Sequence, residues 1–541
     1  MDLTNSAGSA RNINTDSVNV PELIKDWRAS AIVSSAPFDP EKRLEAIIKR
    51  VKEEYSFDKP EYKVDAKCFE KVEEPDDEER LLFDSLCKTK VVDGALNAID
   101  MSFYEKQGNR PILLRSCYFD LFELILDSLR IPRDNHRHLI LGSPGIGKSW
   151  FHVFCLYVLV KADVPVFIQR KELTALFFKG EAYRCRTLNG NRLLRRTNIW
   201  HLYDRAEGPT GIGAGNIAVM VSSPDVKTYK EYAKTCHFGR MFMPLWSFAE
   251  LTKANLLCLP ASSILTEVIL EERYQLCGGI ARHIFDDNED YLTKYEPPIS
   301  SIKMKTLVSL KSAEIHNITH QIFGLNVHEN YFKYEIAFLS NLIADKVIDQ
   351  MNLDRSSALT ELLKKVLDSN TASLCGKLYE RMGIRRLTSG FRLELQFLNH
   401  PNMRRGAITK IVLPEVIHRY DFESNSLDSV IWGSAGSTLW APQNTSFPCI
   451  DCLLLLPHAK PKPTALGFQF TVSPDHPILQ RPLNAIIELC RSKGFAFKFT
   501  FVLSKTRNYA DFVRQHQKDE NGRIYEVGDE IPCSQYKIKM F

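Results

Sequence analysis

Residues 139–149 read LILGSPGIGKS, and this stretch decides the fold of the chain. It matches the pattern G-x-x-x-x-G-K-[ST], which is typical of a loop that binds the phosphates of a nucleotide. The fixed positions are filled by Gly142, Gly147, Lys148 and Ser149. A short apolar run precedes the loop and a longer one, Trp150 to Val160, follows it. We therefore predict a buried strand before the loop and a helix after it.

The loop is predicted to bind a nucleoside triphosphate together with Mg²⁺. Glycines let the backbone turn its N–H groups inward, and the N-terminus of the following helix adds a partial positive charge. Lys148 is predicted to reach the β- and γ-phosphates, and the Ser149 hydroxyl to bind Mg²⁺. ATP is the favoured ligand and GTP is left open; a glycine-rich turn with a solvated lysine is the alternative. The predicted phosphate-contacting residues are Gly142, Ser143, Pro144, Gly145, Ile146, Gly147, Lys148 and Ser149.

Length and composition are those of an ordinary globular protein with several domains. The chain has 541 residues, 44% of them hydrophobic and 25% charged, which suffices for about three domains. Its net charge of +4 is too small to predict nucleic-acid binding from overall charge. The 13 cysteines are scattered, which favours a reducing compartment. No apolar run is long enough to cross a bilayer, so we predict no membrane association.

Apolar runs alternate with helical patterns from about residue 116 to residue 300, which predicts an α/β fold with a mostly parallel sheet. The predicted strands after the loop are 164–168, 199–204, 217–221 and 241–246. The second of them, IWHLYD, ends at Asp204. A carboxylate at the carboxyl end of a central strand can orient the Mg²⁺ shell, so Asp204 is the predicted metal-orienting residue. An aspartate that only caps a turn is the alternative.

Three further residues are candidates for the same site. No glutamate follows Asp204 directly, so the nearest acid, Glu207, is the candidate catalytic base and hydrolysis is predicted to be slow. Ser222 ends the next apolar strand and could contact the γ-phosphate or the attacking water. Arg282 follows two glycines at a predicted helix start and could reach the phosphates. The alternatives are a serine-rich turn and a surface arginine.

The rest of the chain divides by pattern. We predict a flexible N-terminal region at 1–60 that contains a helix from Pro40 to Tyr55, a helical N-terminal segment at 61–115, a P-loop NTPase domain at 116–300, a helical connector at 301–365 and an α/β domain at 366–541. Cys449 and Cys452 are interpreted as thiols that flank a buried strand, since no second pair stands at zinc-binding spacing.

Several segments together resemble a known family. GSPGIGKSW, IWHLYD, VMVSSP, FMPLWSFAEL and YQLCGGIARHIF occur in that order in Crinkler-type effectors and the related retrotransposon hot-spot proteins. The resemblance extends from about residue 110 to residue 515. It implies a P-loop NTPase followed by a nuclease-like domain of the restriction-endonuclease superfamily.

The resemblance also implies a metal site in the C-terminal domain. Glu380 in GKLYE matches the acid of the first helix, Asp451 the metal-binding aspartate, and Gln469 the second acid of the (D/E)-x-K strand. Carboxylates would hold Mg²⁺ against a phosphodiester while a lysine positions water. Here Gln469 is neutral and Thr471 replaces the lysine, which leaves Lys498 as a candidate for that role. The alternatives are a surface glutamate on a helix and an aspartate that caps a strand.

Three functional hypotheses follow. The first is an NTPase that controls a DNA-directed nuclease, the second a nucleotide-regulated DNA-binding protein with an inactive nuclease fold, and the third a nucleotide-switched interaction protein. DNA is the expected macromolecular partner in the first two. The basic residues that could contact DNA phosphates are Arg404, Arg405, Lys410, Arg481, Arg491, Lys493 and Lys498.

Location and assembly follow only in part. The resemblance implies action inside a cell, including the nucleus, although no run of five or more lysines and arginines supports nuclear import. The leucine-rich core of the Crinkler trafficking header is not found in residues 1–60, and no secretory signal is visible, so secretion is not predicted. Homo-oligomerisation and protein partners are left open.

Overall fold

The structure is a computed structural model, and it describes most of the chain. The described residues are 38–55, 64, 66–104, 109–131, 136–170, 173–186, 199–204, 217–236, 238–286, 299, 321–350, 372–388, 392–398, 408–412, 418–422, 436–442, 449–471, 477–503, 515, 517–519, 523–524 and 535–539.

The helices and strands alternate through most of this length. The helices are α1 (Pro40–Tyr55), α2 (Glu78–Lys88), α3 (Ser116–Leu129), α4 (Lys148–Lys161), α5 (Val226–Ala233), α6 (Phe248–Cys258), α7 (Glu267–Cys277), α8 (Ala281–Ile284), α9 (Asn341–Gln350), α10 (Ala372–Thr388) and α11 (Gln480–Ser492). The first strands are β1 (Phe69–Lys71), β2 (Val91–Val92), β3 (Ala95–Asp100), β4 (Asn109–Leu113), β5 (His136–Leu141), β6 (Val166–Arg170), β7 (Leu173–Phe178), β8 (Glu181–Cys185), β9 (Trp200–Asp204), β10 (Ile217–Ser222) and β11 (Arg240–Phe242). The remaining strands are β12 (Phe323–Val327), β13 (Tyr334–Phe338), β14 (Arg392–Phe397), β15 (Ile408–Val412), β16 (His418–Phe422), β17 (Thr438–Pro442), β18 (Cys452–Leu456), β19 (Thr464–Thr471), β20 (Ile478–Leu479), β21 (Ala496–Leu503), β22 (Gln517–Lys518) and β23 (Gln535–Lys539).

A large, mostly parallel sheet is built around the strand that leads into the glycine-rich loop. Its order is β1-β8-β7-β6-β9-β10-β5-β11. The five strands from β6 to β11 in that order are parallel, whereas β7, β8 and β1 extend the sheet in antiparallel fashion. The prediction of a mixed α/β fold with a mostly parallel sheet is therefore confirmed.

Helix α4 follows the loop and is buried on all sides. Every residue from Phe151 to Leu159 is buried, as expected for a helix whose residues are apolar all round. Helix α1 packs against α4 and α3 through Leu44, Ile47 and Val51, which are spaced at helical intervals. Its Arg43 donates hydrogen bonds to Asp120 and Glu123 of α3.

The helical prediction for residues 61–115 is wrong beyond α2. Before that helix, β1 pairs with β8 of the large sheet. After it, the chain forms a three-stranded antiparallel sheet of β2, β3 and β4. The turn between β2 and β3 is Asp93-Gly94, and both residues have positive φ, 53° and 82°. This dipeptide favours a tight hairpin, and here the turn outweighs the helical spacing of the neighbouring apolar residues.

The helical prediction for 301–365 is wrong where the structure describes that segment, apart from α9. Strands β12 and β13 form an antiparallel hairpin before it. Phe323 and Leu325 of β12 are buried, as are Ile336 and Phe338 of β13. In β13 the buried residues alternate with partly exposed ones, which is the pattern of a strand that buries one face, whereas residues 323–325 of β12 are all buried.

Strand β11 is shorter than predicted. It ends at Phe242, and the residues from Met243 to Trp246 leave the sheet. Pro244 lacks a backbone N–H and so cannot continue the ladder of hydrogen bonds. The chain instead turns toward the glycine-rich loop.

The C-terminal part contains a second sheet with the order β15-β14-β23-β21-β19-β18-β17-β16. Strands β17, β18 and β19 form an antiparallel meander, and β21 returns parallel to β19 after α11. Leu454 and Phe468 face the cluster that includes α10, whereas Leu453 and Ala465 face the cluster with α11. A helix therefore covers each face of these strands.

No helix in the described part of the chain is both long enough and apolar enough to span a membrane.

Candidate functional site

The carboxyl ends of the parallel strands are aligned along one edge of the first sheet. Ser222 pairs with Leu141, the residue before the glycine-rich loop, and Val221 pairs with Asp204. Asp204 in turn pairs with Arg170 at the end of β6. Since adjacent strands lie about 4.8 Å apart, Asp204 is about 10 Å from the loop across the sheet. Open α/β sheets bind their ligands at this edge.

Two glycines of the loop have backbone conformations that other residues rarely adopt. The φ angle is +83° at Gly145 and +95° at Gly147. A Cβ atom at Gly145 would lie 2.8 Å from the Cβ of Arg282, and one at Gly147 would lie 2.7 Å from the hydroxyl oxygen of Tyr118. The loop therefore requires glycine at both positions.

Three side chains hold the loop by its carbonyl groups. The indole Nε1 of Trp246 donates to the carbonyl of Ile146 at 2.7 Å, and the Tyr118 hydroxyl donates to the carbonyl of Gly147 at 3.1 Å. Arg115 also donates to the Ile146 carbonyl, at 3.3 Å. The C=O and N–H groups of a trans peptide point in opposite directions, so the N–H groups of the same peptides are directed away from these donors, as a phosphate site requires.

Arg115 joins the loop to the segment that follows β11. It is buried, and it donates to the carbonyl of Leu245 at 2.9 Å and to the carboxylate of Glu250 at 2.9 Å. Its guanidinium lies 4.5 Å from the ring centroid of Trp246. Glu250 also caps α6 by accepting from the N–H of Ser247. Sequence reasoning missed Arg115, whose only signal was a charged residue directly before an apolar helix.

The Gly-Gly turn forms another wall of the loop. A Cβ atom at Gly279 would lie 2.2 Å from the carbonyl oxygen of Trp246, so the two segments pack backbone to backbone. The backbone N–H of Arg282 donates to the carbonyl of Gly145 at 3.1 Å. Arg282 is exposed beside the loop and is the second residue of α8, where a helix start was predicted. The MPLW and GGIAR segments therefore both contact the glycine-rich loop.

The two polar residues of the motif lie at the start of α4. The Nζ atom of Lys148 donates to the carbonyls of Gly142 at 2.7 Å and Ser143 at 2.8 Å, so the ammonium group lies across the loop. Ser149 follows it in the helix and is partly exposed. The structure thus brings together all eight residues of the predicted phosphate-binding stretch.

Asp204 is buried at the end of β9. Its Oδ2 atom lies 3.7 Å from Nε of Arg170, and the same Oδ2 accepts no hydrogen bond from any described residue. Ser222, one strand closer to the loop, is also buried and shares a 2.7 Å hydrogen bond with Thr228. Glu207, the predicted catalytic base, lies outside the described residues.

A buried polar cluster lies around Asp204. The hydroxyl of Tyr104 is 3.0 Å from Nδ1 of His152 on α4, and the guanidinium of Arg170 lies 5.3 Å from the Tyr104 ring centroid. Burial lowers the pKa of His152 to about 4, although the charge of Asp204 acts in the opposite direction. The imidazole is therefore neutral at physiological pH.

The C-terminal candidate residues also meet. Oδ2 of Asp451 accepts hydrogen bonds from Nε2 of Gln469 at 2.9 Å and from the backbone N–H of Phe470 at 2.6 Å. Burial, and then the charge of Glu380, raise the pKa of Asp451 well above its ordinary value. Glu380 is thus close enough to act on the Asp451 carboxyl. The structure brings Glu380, Asp451 and Gln469 to one place.

Sequence reasoning missed a lysine side chain at this place. Nζ of Lys377 lies 2.7 Å from Oε1 and 3.0 Å from Oε2 of Glu380, one helical turn along α10. The signal was the spacing itself, because residues three apart on a helix lie on the same face. Thr471, which stands where the strand lysine was expected, is buried. Arg404 and Arg405 lie outside the described residues.

The carboxylates at both places fit a cation that is held partly by its substrate. Mg²⁺ commonly takes one or two carboxylates and completes its shell with water and phosphate oxygens. Oδ2 of Asp204, which accepts no hydrogen bond from a described residue, is a carboxylate oxygen of this kind, and Glu380 with Asp451 supplies two carboxylates. Within the described ranges, no group of three or more His, Cys, Asp or Glu side chains could hold a metal ion without such help.

The fold and the site define a mixed α/β protein with a phosphate-loop sequence at the carboxyl edge of a large, mostly parallel sheet. The chain is similar to Crinkler effector protein 15 of Phytophthora infestans, with 24% identity over 355 residues, 63% of this chain and 55% of that protein. Crinkler effector protein 16 of the same organism is 24% identical over 360 residues, 63% of this chain and 54% of its own. The chain therefore spans about half the length of these curated relatives.

Two other comparisons add little. No family model matches the chain. A solved structure of a RuvB mutant from Thermotoga maritima covers 54% of this chain and 92% of its own, with a TM-score of 0.21 and 10% identity. That likeness supports no assignment.

Proposed function

We propose that this chain is an effector protein in which a P-loop NTPase domain binds MgATP and controls a metal-dependent, DNA-directed nuclease site in the C-terminal domain. The observation that carries the proposal is the glycine-rich loop whose carbonyls are held by Trp246, Tyr118 and Arg115. An effector role inside the cell is included because both curated relatives are named effectors.

The nucleotide part rests on the edge of the first sheet. The loop directs N–H groups outward at the start of α4, where the helix dipole also favours anions. Lys148 and the exposed Arg282 supply positive charge for the β- and γ-phosphates. Ser149 and Asp204 would hold the Mg²⁺ that accompanies the triphosphate, and the metal would neutralise phosphate charge. GTP is the alternative ligand, because no described feature selects the base.

The nuclease part rests on the second sheet. An antiparallel meander, a helix and a parallel return strand, with α10 on the other face, support this part of the proposal. Glu380 and Asp451 would hold a divalent cation, which would polarise a phosphodiester there. The Gln469 amide holds the Asp451 carboxylate in place through the 2.9 Å hydrogen bond.

Control of one site by the other rests on the hairpin of β12 and β13 together with α9. The backbone N–H of Phe242 donates to the carbonyl of Tyr331 in the hairpin at 2.7 Å. On the other side, Asp345 of α9 pairs with Arg381 of α10. Arg381 directly follows Glu380. The residues directly after β11 pack on the nucleotide loop. A displacement of these residues therefore has a continuous path of packed elements, through the hairpin and α9, to the site of Glu380 and Asp451.

A nucleotide-regulated DNA-binding protein with an inactive nuclease fold is the second candidate. The observation that favours it is the neutral Gln469 and the Thr471 that stands in place of the strand lysine. Such a protein would bind DNA without cutting it. Asp451→Ala would then leave DNA affinity unchanged or raise it, because the change removes negative charge.

Binding and cleavage assays on the full chain test both parts. Lys148→Ala should weaken MgATP binding at least tenfold, since it removes a charge-assisted phosphate contact. The matched control is Lys161→Ala at the other end of α4, whose ammonium bonds to the Cys87 carbonyl instead. Asp204→Asn should slow Mg²⁺-dependent hydrolysis in a protein that still folds. If calorimetry shows that wild type and Lys148→Ala bind ATP equally well, and also bind GTP equally well, the nucleotide site is rejected.

The nuclease part predicts Mg²⁺- or Mn²⁺-dependent nicking of plasmid DNA whose rate changes when ATP is added. Asp451→Ala should abolish the nicking, because a single remaining carboxylate binds the cation poorly. Wild-type protein that binds DNA but never nicks it, with or without nucleotide, would leave the second candidate. Wild-type protein that neither binds nor nicks DNA would reject both.

A further inference from the structure

The C-terminal acidic site, formed by Glu380, Asp451 and Gln469, has its lysine on helix α10 rather than on strand β19. In the restriction-endonuclease pattern a lysine stands two residues after the second acid, and that position is occupied here by the buried Thr471. Lys377, one turn before Glu380 on α10, brings an ammonium group to the same carboxylate. Three residues of spacing on a helix put both side chains on one face.

The ion pair of Lys377 and Glu380 differs from an ordinary surface pair. The two side chains are only 22% and 10% exposed, whereas exposed pairs at this spacing add little to stability and are common by chance. Glu380 also acts electrostatically on Asp451, and so does Lys377. The ammonium group therefore belongs to the acidic site and is partly screened from solvent.

Lys498, the candidate from sequence, is placed elsewhere. It pairs with Leu466 across β19 and β21, whereas Gln469 pairs with Phe501. Its ammonium group lies 5.3 Å from the ring centroid of Tyr536. Lys498 thus contacts an aromatic ring further along the sheet.

We propose that Lys377 is the catalytic lysine of the C-terminal site, in a position on the helix that replaces the missing lysine of the strand. The proposal rests on the proposed nuclease function. In phosphodiester hydrolysis a water oxygen bonds to phosphorus and the bond from phosphorus to the leaving oxygen breaks. One water proton ends on the leaving oxygen and the other is released to solvent. Lys377 contacts the phosphate oxygens on which negative charge accumulates, and it transfers no proton.

The flexible stem of a lysine makes this role possible. A lysine presents a compact charge on a four-carbon chain, so the ammonium group can contact both the Glu380 carboxylate and a phosphate bound beside it. A cation bound by Glu380 and Asp451 would take up part of the carboxylate charge that now pairs with Lys377. The ammonium group would then be available to the anionic substrate.

Single-turnover cleavage by the full chain, with Mn²⁺ or Mg²⁺, tests the assignment. Lys377→Met should reduce the cleavage rate at least about 100-fold, the usual loss when one transition-state donor is removed. Lys377→Arg, which keeps the positive charge, should recover at least about tenfold of that loss. The matched control is Lys462→Met, an exposed lysine in the turn after β18, at the opposite end of that strand from Asp451.

Two further readouts separate catalysis from a structural role. The dissociation constant for DNA without metal should change less than about threefold in Lys377→Met, because one phosphate contact among many is lost. The affinity for Mn²⁺ by calorimetry should be unchanged or higher, since a nearby positive charge has been removed. If Lys377→Met lowers the melting temperature, Lys377→Gln, which keeps a donor toward Glu380, replaces it in every assay.

The outcomes distinguish this assignment from the function on which it rests. Wild-type protein without any cleavage overturns the nuclease function, and the assignment with it. If wild type cleaves DNA and Lys377→Met cleaves it equally fast, the assignment of Lys377 is overturned and the nuclease function stands. Loss of cleavage in Lys498→Met but not in Lys377→Met also overturns it, in favour of Lys498.

Discussion

Trp246 donates its indole N–H to the carbonyl of Ile146, inside the glycine-rich loop, at 2.7 Å. The backbone N–H of the same tryptophan donates to the carbonyl of Gly279 at 3.0 Å. One residue therefore joins the loop to the Gly-Gly turn that lies after α7. The loop conformation depends on residues far along the chain as well as on its own glycines.

Replacing this donor should weaken nucleotide binding. Trp246→Phe keeps most of the ring but removes the N–H, so we expect about 1–2 kcal/mol of lost stability and a several-fold weaker MgATP affinity. Thermal unfolding and calorimetry measure the two effects. The control is Tyr157→Phe on α4, whose ring lies near Lys161 at the end of that helix away from the loop. Wild-type affinity in Trp246→Phe would contradict the prediction.

Gly278 should be far less tolerant of alanine than another glycine with positive φ. Its φ is +57°, and a Cβ atom there would lie 2.4 Å from the carbonyl oxygen of Leu339. Gly180 has φ +76°, but a Cβ atom there would meet nothing within 4 Å beyond its chain neighbours. Gly180→Ala should therefore cost about 1 kcal/mol from the backbone alone, and Gly278→Ala at least about 2 kcal/mol. If urea unfolding gives equal losses of unfolding free energy for the two variants, the structure around Gly278 can accommodate the added methyl group, contrary to the prediction.

The sequence predicted the five parallel strands of the first sheet because they are short, apolar and separated by clear signals, but it did not predict the antiparallel strands β1, β7 and β8. Strand β9 begins at Trp200 and ends at Asp204, close to the predicted 199–204, and β10 ends at Ser222. The glycine-rich loop has a pattern that depends only on local backbone geometry. Local rules therefore sufficed for the elements that position Lys148 and Asp204.

What the sequence could not predict depends on contacts between distant segments. Arg115 meets Glu250, more than a hundred residues later, and no local pattern encodes that pair. Lys377 was visible beside Glu380, but its meaning required knowing that Asp451 lies across from it. The Asp93-Gly94 hairpin, by contrast, follows from a local signal, because this dipeptide favours a tight turn.

Asp345 should be essential for the packing of α9 against α10. Nε of Arg381 donates to Asp345 Oδ1 at 3.0 Å, and the Arg381 side chain is only 3% exposed. Asp345→Ala leaves this guanidinium buried without its carboxylate, which typically costs about 3–5 kcal/mol. The control is Asp349→Ala: this carboxylate is 64% exposed and pairs with Arg385, so its loss should cost less than about 1 kcal/mol. Comparable unfolding free energies for the two variants would contradict the assignment of a buried pair.

Two buried histidines should make the protein less stable as the pH falls. Burial, helped by the charge of His136, lowers the pKa of His138 to about 3, and burial lowers that of His152 to about 4. Both values lie below the ordinary value of about 6.5, so the unfolded chain binds more protons than the folded one at intermediate pH. Their contribution to stability is complete above about pH 6.5 and is lost as the pH falls toward about 4 for His152 and about 3 for His138.

The slope of unfolding free energy against pH shows whether these histidines are responsible. Each neutral buried histidine should contribute up to about 1.4 kcal/mol of lost unfolding free energy per pH unit between about pH 6 and pH 4. His138 accepts or donates one hydrogen bond at Nε2, 3.2 Å from the Ser128 hydroxyl, and stacks on Phe238. His138→Gln can keep a polar contact but does not titrate. Denaturant unfolding measured from pH 7 to pH 5 should show a slope smaller by up to one proton in this variant, whatever its stability at pH 7. Parallel pH profiles for wild type and His138→Gln would mean that His138 is protonated in the folded protein, contrary to its burial.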